Sequence, residues 1–229
     1  MDFFGLQKLT LLDFPRKIAC TLFTGGCNLR CPFCHNAELI SAREEAPYSE
    51  EDVLTFLSSR KGILDGVCVT GGEPLLHKDL PDVLSKVKEM GFAVKIDTNG
   101  CVPQRLQEIL AAGLVDYVAM DLKNRFEKYP ETVGIPDFDP TPVRKTMEIL
   151  SQWGGEYEFR TTVVKEFHTE DDLLTIAELA KDAPHFALQS FRDSPRVLKA
   201  GLHSWDEREL KNAWAEVRKI LPNAELRGI

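Results

Sequence analysis

Short runs of β-branched and apolar residues alternate along the chain with stripes of apolar positions at helical spacing. Six strand candidates stand out, at Ile18–Phe23, Gly66–Thr70, Ala93–Asp97, Tyr117–Asp121, Tyr157–Val164 and His185–Phe191, each bounded by turn-forming or polar residues. Between them, Leu80, Val83, Leu84, Val87 and Met90 form one stripe over 80–90, with Lys86, Lys88 and Glu89 on the polar face. A last helical pattern from Ser204 to Leu221 aligns Leu210, Trp214, Val217 and Leu221, which puts Trp214 in the core. Ser49 and Thr169 read as N-caps with Asp52 and Asp172 three residues on, and Gly91 and Gly113 as C-terminal stops. Asn124–Pro142 holds four prolines and no helical period, and predicts a long loop after the fourth strand candidate. Six successive βα units imply an α/β fold with a parallel sheet in a single domain, 1–229. The polar clusters that follow the strands are then expected to meet at the strands' C-terminal ends.

Composition narrows the setting. The chain has 229 residues, 43% hydrophobic and 28% charged, which suits a globular protein with a full core. No apolar run approaches the ~20 residues that cross a bilayer, and Met1-Asp2-Phe3-Phe4 lacks a basic signal-peptide start, so a cytoplasmic protein with no membrane partner is expected. A net charge of −8 argues against a nucleic-acid partner, because phosphate backbones are held by clustered Lys and Arg. A protein or small molecule fits better.

Six cysteines are too few for a disulfide scaffold in a chain of this length, and three of them, Cys27, Cys31 and Cys34, crowd into eight residues. The C-x3-C-x2-C spacing places three thiolates on a compact loop after the first strand candidate, enough to hold three irons of a cubane cluster with one position open. A structural zinc knuckle with His35 as fourth ligand, or three unconnected core cysteines, are the alternatives. Cys20 and Cys68 lie in apolar runs and read as core residues, and Cys101 as packing.

Downstream, Gly71-Gly72-Glu73-Pro74 follows the second strand, its glycines allowing close backbone approach and Glu73 offering an acceptor for an ammonium group. Asp97-Thr98-Asn99 ends the third strand and Asp121-Leu122-Lys123 the fourth, so two carboxylates, an amide and a lysine gather at strand ends. Strand-end capping is the plainer reading of these groups. On the fifth strand Arg160 is placed either to bind a carboxylate ligand bidentately or to pair with Asp121.

The cysteine spacing with an aromatic before the third cysteine, together with the later strand-end segments, resembles the radical S-adenosylmethionine (SAM) superfamily. That resemblance implies a partial (β/α)6 barrel and one [4Fe–4S] cluster on Cys27, Cys31 and Cys34, with SAM chelating the open iron. It further implies Phe33 and the backbone at His35 near the adenine, and Gly71, Gly72 and Glu73 at the methionine amino end. By the same resemblance Asp97, Thr98 and Asp121 match a monovalent-cation site beside SAM, with Asn99 in the same turn and Lys123 near the SAM carboxylate. The segment Leu188-Gln189-Ser190-Phe191-Arg192 departs from the His-containing strand end of pyruvate formate-lyase activating enzymes, which leaves the ribose contact open.

The upstream segment Gly5–Cys20 is similar to the activating proteins of anaerobic ribonucleoside-triphosphate reductases; pyruvate formate-lyase activases carry a D-G-P-G type segment in place of Asp13-Phe14-Pro15-Arg16, and Cys34-His35-Asn36 is shared by both groups. The implied activity is reductive cleavage of SAM to a 5′-deoxyadenosyl radical that takes a glycine Cα hydrogen from the reductase large subunit. A flavodoxin- or ferredoxin-like protein is the implied electron donor. An activase of another glycyl radical enzyme, of the pyruvate formate-lyase type, and a small-molecule radical SAM enzyme such as 7-carboxy-7-deazaguanine synthase are the alternatives.

Overall fold

The structure is a computed structural model, and it describes residues 1–42 and 45–229. The chain forms an eight-stranded sheet with the strands in sequence order. It divides into two compact units: Met1–Asn28, Glu38–Thr98 and Val102–Val118 make the first, and Leu29–Ala37, Asn99–Cys101 and Ala119–Ile229 the second.

In the first unit, β1 (Gly5–Thr10) runs antiparallel to β2 (Ala19–Thr24), and β2, β3 (Gly66–Gly71) and β4 (Ala93–Thr98) are parallel. Cys20 and Cys68 are buried in β2 and β3, as their apolar runs predict. The helices are α1 (Ala37–Ser41), α2 (Glu50–Ser58), α3 (Leu80–Glu89) and α4 (Pro103–Ala111). The α3 stripe buries Leu80, Val83, Leu84 and Val87. Ser49 caps α2 in a full capping box with Asp52, the shorter acid doing what Glu usually does. Gly91 and Gly113, both at positive φ, follow the ends of α3 and α4.

The second unit holds the end of β5 (Tyr117–Asp121) and the parallel strands β6 (Glu156–Val163), β7 (His185–Ser190) and β8 (Ala224–Arg227). Its helices are α5 (Tyr129–Val133), α6 (Thr141–Trp153), α7 (Glu170–Leu179) and α8 (Glu207–Ile220). Thr169 and Asp172 make the second capping box. Trp214 corrects one expectation: it is half-buried, and its indole N–H donates to the Ala224 carbonyl at 2.9 Å, stapling α8 to β8.

The expected loop at Asn124–Pro142 is a larger correction. It contains a 3-10 turn at Phe126–Lys128, all of α5 and the start of α6. Pro130 and Pro142 each stand in the first turn of a helix, where a backbone N–H has no intrahelical acceptor to lose. Tyr129 is fully buried and stacks between Phe126 and Phe138, at 5.9 and 5.6 Å between ring centroids, so the segment has a small core of its own.

Candidate active site

Within the first unit, the segment that leaves β2 carries Gly25, Gly26 and Cys27. Gly26 N–H donates to Leu39 O at 2.7 Å and Cys27 N–H to Ile40 O at 3.1 Å, so α1 holds this stretch by its backbone. The His77 imidazole donates to Gly25 O at 2.7 Å. The turn after β3 lies directly against the same stretch: Gly72 N–H donates to Thr24 O (2.9 Å) and Glu73 N–H to Gly26 O (2.8 Å). A Cβ on Gly72 would stand 2.0 Å from Gly26 O, so no other residue fits there undisturbed. Gly71 approaches Thr24 almost as closely, so the Gly71-Gly72 pair serves first to seat the turn on the Cys27 segment.

Glu73 is the residue expected to offer an acceptor to a ligand ammonium. Its side chain is fully buried, and Oε1 accepts from Leu75 N–H at 3.1 Å and from Thr98 Oγ1 at 2.8 Å. It therefore ties the end of β4 to the turn after β3. Asp97 is in ion contact with the Lys95 ammonium, which is buried and also lies 3.8 Å from Cys68 Sγ. Neither Lys95 nor His77 is marked by the sequence pattern.

Within the second unit, Cys31 and Cys34 sit on a turn closed by Cys34 N–H donating to Cys31 O at 3.0 Å. The turn is held from two directions. Lys199 N–H donates to Pro32 O (2.8 Å) and Leu198 N–H to Cys34 O (3.2 Å), while Arg30 N–H donates to Val133 O at the end of α5 (3.0 Å). Gly134, at φ +70° after α5, lets the Arg30 backbone come within 2.4 Å of where a Cβ would stand. The segment expected to be a loop is thus a buttress of the cysteine turn.

Phe33 is buried, its ring 5.7 Å from that of Phe167 and 5.9 Å from the Lys123 ammonium. His35 Nε2 donates to Arg192 O at 2.6 Å and its ring packs on Phe191 at 5.4 Å. That bond takes Nε2 away from a metal and weighs against a zinc knuckle. Among the described residues no three His, Cys, Asp or Glu side chains converge where one metal ion would sit. A cubane cluster asks for something different, one thiolate per iron on a loop that keeps the thiolates apart, and the C-x3-C-x2-C spacing suits it.

Asn99 is buried and accepts from Cys101 N–H at 2.9 Å through Oδ1. At the end of β5, Asp121 pairs with both Lys123 Nζ (3.0 Å) and Arg160 (3.0 Å), so of the two partners expected for Arg160 the structure contains Asp121. Burial opposes a charged carboxyl here, yet Arg160 and Lys123 hold the Asp121 pKa down to about 2. Burial likewise opposes the charge on Lys123, and the Asp121 carboxylate outweighs it and raises its pKa. Two cations on one carboxylate leave this cluster with an excess positive charge. His168 supports it from behind, its Nε2 donating to Lys123 O at 2.8 Å, and Tyr129 OH accepts from Lys123 N–H at 3.0 Å.

Among the described residues no helix is long and apolar enough to cross a membrane. The family model of the Radical SAM superfamily matches residues 21–180. A Methanocaldococcus jannaschii protein assigned as a glycyl-radical enzyme activating enzyme is 33% identical over 233 residues, covering 98% of this chain and 95% of that protein. The pyruvate formate-lyase-activating enzyme of Clostridium pasteurianum is 34% identical over 125 residues, 52% of this chain and 51% of that enzyme. Among solved structures, Streptococcus suis SuiB bound to its precursor peptide SuiA superposes with a TM-score of 0.74 at 19% identity, covering 91% of this chain and 48% of SuiB, a likeness of fold. The cysteine spacing, the turn seated on the Cys27 segment and the match across 21–180 lead to one conclusion: the chain belongs to the Radical SAM superfamily.

Proposed function

We propose that this radical SAM enzyme is a glycyl-radical-enzyme activase, with anaerobic ribonucleoside-triphosphate reductase as its protein substrate. The observation that carries the activase reading is the 33% identity, over nearly the whole of both chains, to a protein assigned to that role. The reductase as target rests on the resemblance of Gly5–Cys20, with Asp13-Phe14-Pro15-Arg16. The whole chain is taken as one radical SAM domain acting in the cytoplasm with a flavodoxin- or ferredoxin-like donor.

Cys27, Cys31 and Cys34 are assigned as the thiolates that hold a [4Fe–4S] cluster, with SAM on the open iron. When bound, the cluster supplies the electron that splits the S–C5′ bond of SAM into methionine and a 5′-deoxyadenosyl radical. The chain's own residues bind and orient. Lys123 and Arg160, two cations against Asp121, are suited to the SAM carboxylate. Gly71, Gly72 and Glu73 shape the turn for its amino end, with Asp97, Thr98 and Asn99 beside it. Phe33 and His35 frame the adenine side through the backbone of their turn, since both rings are engaged in packing. The proposed monovalent cation would meet Lys95 already at Asp97, and Lys123 and Arg160 already at Asp121.

The test is anaerobic reconstitution with iron and sulfide, followed by SAM and a strong reductant. The expected product is 5′-deoxyadenosine; a colourless zinc protein with no cleavage would sink the enzyme reading. Mixed with the reductase, the enzyme should give a glycyl-radical doublet by electron paramagnetic resonance. Silence with every glycyl radical enzyme encoded in the same genome would move the substrate to a small molecule.

A further inference from the structure

Within the second unit, the turn that carries Cys31 and Cys34 is tied to the segment 192–199 that follows β7. Three hydrogen bonds join them: His35 Nε2 donates to Arg192 O at 2.6 Å, Leu198 N–H to Cys34 O at 3.2 Å and Lys199 N–H to Pro32 O at 2.8 Å. Between these bonds Val197 is buried, and its N–H donates to Ser194 O at 3.0 Å. The backbone of the segment is thus fixed to the cysteine turn while its side chains go to the surface. Arg192, Arg196 and Lys199 are exposed, and Leu198 shows 45% of its area.

The charge of this surface runs against that of the chain. Overall 36 acidic residues outweigh 28 basic ones, whereas in 192–199 Arg192, Arg196 and Lys199 face a single acid, Asp193. Among the described residues none of these three cations is in an ion pair; the Arg192 guanidinium donates to Gly228 O at 3.2 Å. Arg30, also exposed, adds a fourth cation next to Cys31. The other support of the turn, α5, carries Glu131 and no cation, so a negatively charged partner is drawn to the 192–199 side. An apolar residue amid unneutralised cations suits an acidic partner with an apolar centre.

We infer that 192–199, with Arg30, docks the electron donor, and that the donor is an acidic flavin carrier protein whose apolar flavin edge rests at Leu198. The inference rests on the assignment of Cys31 and Cys34 as cluster thiolates. The step is a one-electron transfer that oxidises the carrier and reduces the cluster, with no bond made or broken. It asks for closeness to the turn, and Arg196 is two residues from the Leu198–Cys34 bond, at most about 7 Å of extended chain. A polypeptide whose glycine must reach SAM calls instead for a groove, whereas six of the eight residues in 192–199 are exposed. Charge-steered docking is fast and readily reversed, as a carrier that leaves after one electron requires.

The double variant Arg196→Glu/Lys199→Glu reverses two exposed charges and leaves the backbone bonds to the turn in place. In the cluster-loaded protein, the second-order rate constant for reduction by an acidic flavodoxin hydroquinone, read by stopped flow, should fall about tenfold at low salt, with the gap closing at high salt. Reduction by dithionite, and 5′-deoxyadenosine formation driven by dithionite, should stay at the wild-type rate. An unchanged flavodoxin rate overturns the inference, and an equal loss with dithionite does so by marking damage to the cysteine turn. A defect seen with a ferredoxin and not with flavodoxin, or only in glycyl-radical yield under dithionite, gives the surface to another partner and overturns it too. A second arm reads binding alone: resonances around the flavin of oxidised ¹⁵N-labelled flavodoxin should shift with the wild-type protein and not with the double variant. Shifts with both, or with neither, overturn the inference. Neither arm needs the glycyl radical enzyme, so failure of the activase reading leaves the result standing. A protein that takes up no iron on reconstitution refutes the cluster assignment, and the inference with it.

Discussion

The contact between Gly72 and Gly26 makes the sharpest prediction. A methyl group on Gly72 would lie 2.0 Å from Gly26 O and 2.6 Å from its carbonyl carbon, against 3.4 Å for ordinary contact, so one backbone must retreat by about 1.4 Å. Neither neighbour is a flexible side chain. The retreat breaks Gly72 N–H to Thr24 O and Glu73 N–H to Gly26 O, the two bonds that seat the turn on the Cys27 segment. Two such bonds lost from a partly buried seam cost about 2–4 kcal/mol, a large part of a typical domain's stability. Gly26→Ala is the internal control. Gly26 is at φ +81° and a methyl group there would meet nothing within 4 Å, so alanine suffers backbone strain alone, about 1–2 kcal/mol, and leaves the seam closed. Urea unfolding of both variants, read with iron content after reconstitution and SAM affinity by equilibrium dialysis, separates the two causes. Gly72→Ala should lose more stability and weaken SAM binding at least tenfold, whereas Gly26→Ala should lose stability with SAM affinity nearly intact. Equal stability loss in the two variants, or Gly72→Ala with wild-type SAM affinity, would refute the reasoning.

Three further outcomes follow from the same geometry. Lys95→Met removes the ammonium from a buried ion pair and should cost about 3–5 kcal/mol in urea unfolding, with most of it recovered in Lys95→Met/Asp97→Asn; additive single effects would show that the pair is not coupled. Asp172 is buried between Lys128 (2.6 Å) and Arg125 (2.9 Å), and although burial opposes its charge, Lys128 and the Thr169 cap lower its pKa below the ordinary 3.8. Its stabilisation is fully present above pH ~3.8 and is lost as pH falls through the lowered native value, so Asp172→Asn should be less stable by about 1–3 kcal/mol at neutral pH, with the gap closing in acid; a pH-independent gap refutes this. Cys31→Ala should bind substantially less iron and abolish 5′-deoxyadenosine formation while the far-ultraviolet circular dichroism stays native; a retained cleavage rate would remove Cys31 from the cluster.

The elements legible in the sequence are those whose signals are local. Tyr117–Asp121 is bounded to the residue, and the other five strand candidates to within a residue or so, because each is a short apolar run between breakers. The capping boxes at Ser49 and Thr169 are readable for the same reason. What escapes is weakly patterned or nonlocal. β1 is an edge strand with three exposed residues in succession, and β8 has four residues, so neither shows clean alternation. Prolines at 130 and 142 suggest a loop because a first-turn proline and a loop proline look alike without the helix that follows. In the site, the residue types are readable and the partners are not. Glu73 meets Thr98 from 25 residues away and Arg160 meets Asp121 from 39, pairings fixed by strand order rather than by spacing in the chain.

One motif changes meaning once its contacts are known. The segment Asp13-Phe14-Pro15 is a principal support for choosing the reductase as target, yet in the first unit it does structural work. Thr10 Oγ1 accepts from Asp13 N–H at 3.2 Å, and Asp13 Oδ2 accepts from Thr21 Oγ1 of β2 at 2.6 Å. Phe14 is buried, its ring 6.2 Å from that of Tyr117, the first residue of β5, and against Gly66, the first residue of β3. These are the N-terminal ends of the strands, whereas Cys27 and the Gly71-Gly72-Glu73 turn follow the C-terminal ends of β2 and β3. A side chain that plugs the N-terminal end of a sheet is selected by packing, and parallel-strand enzymes do their chemistry at the other end. On the proposed activase reading, the residues that touch a partner are therefore expected in the segments after the strands, where the Asp121 cluster lies.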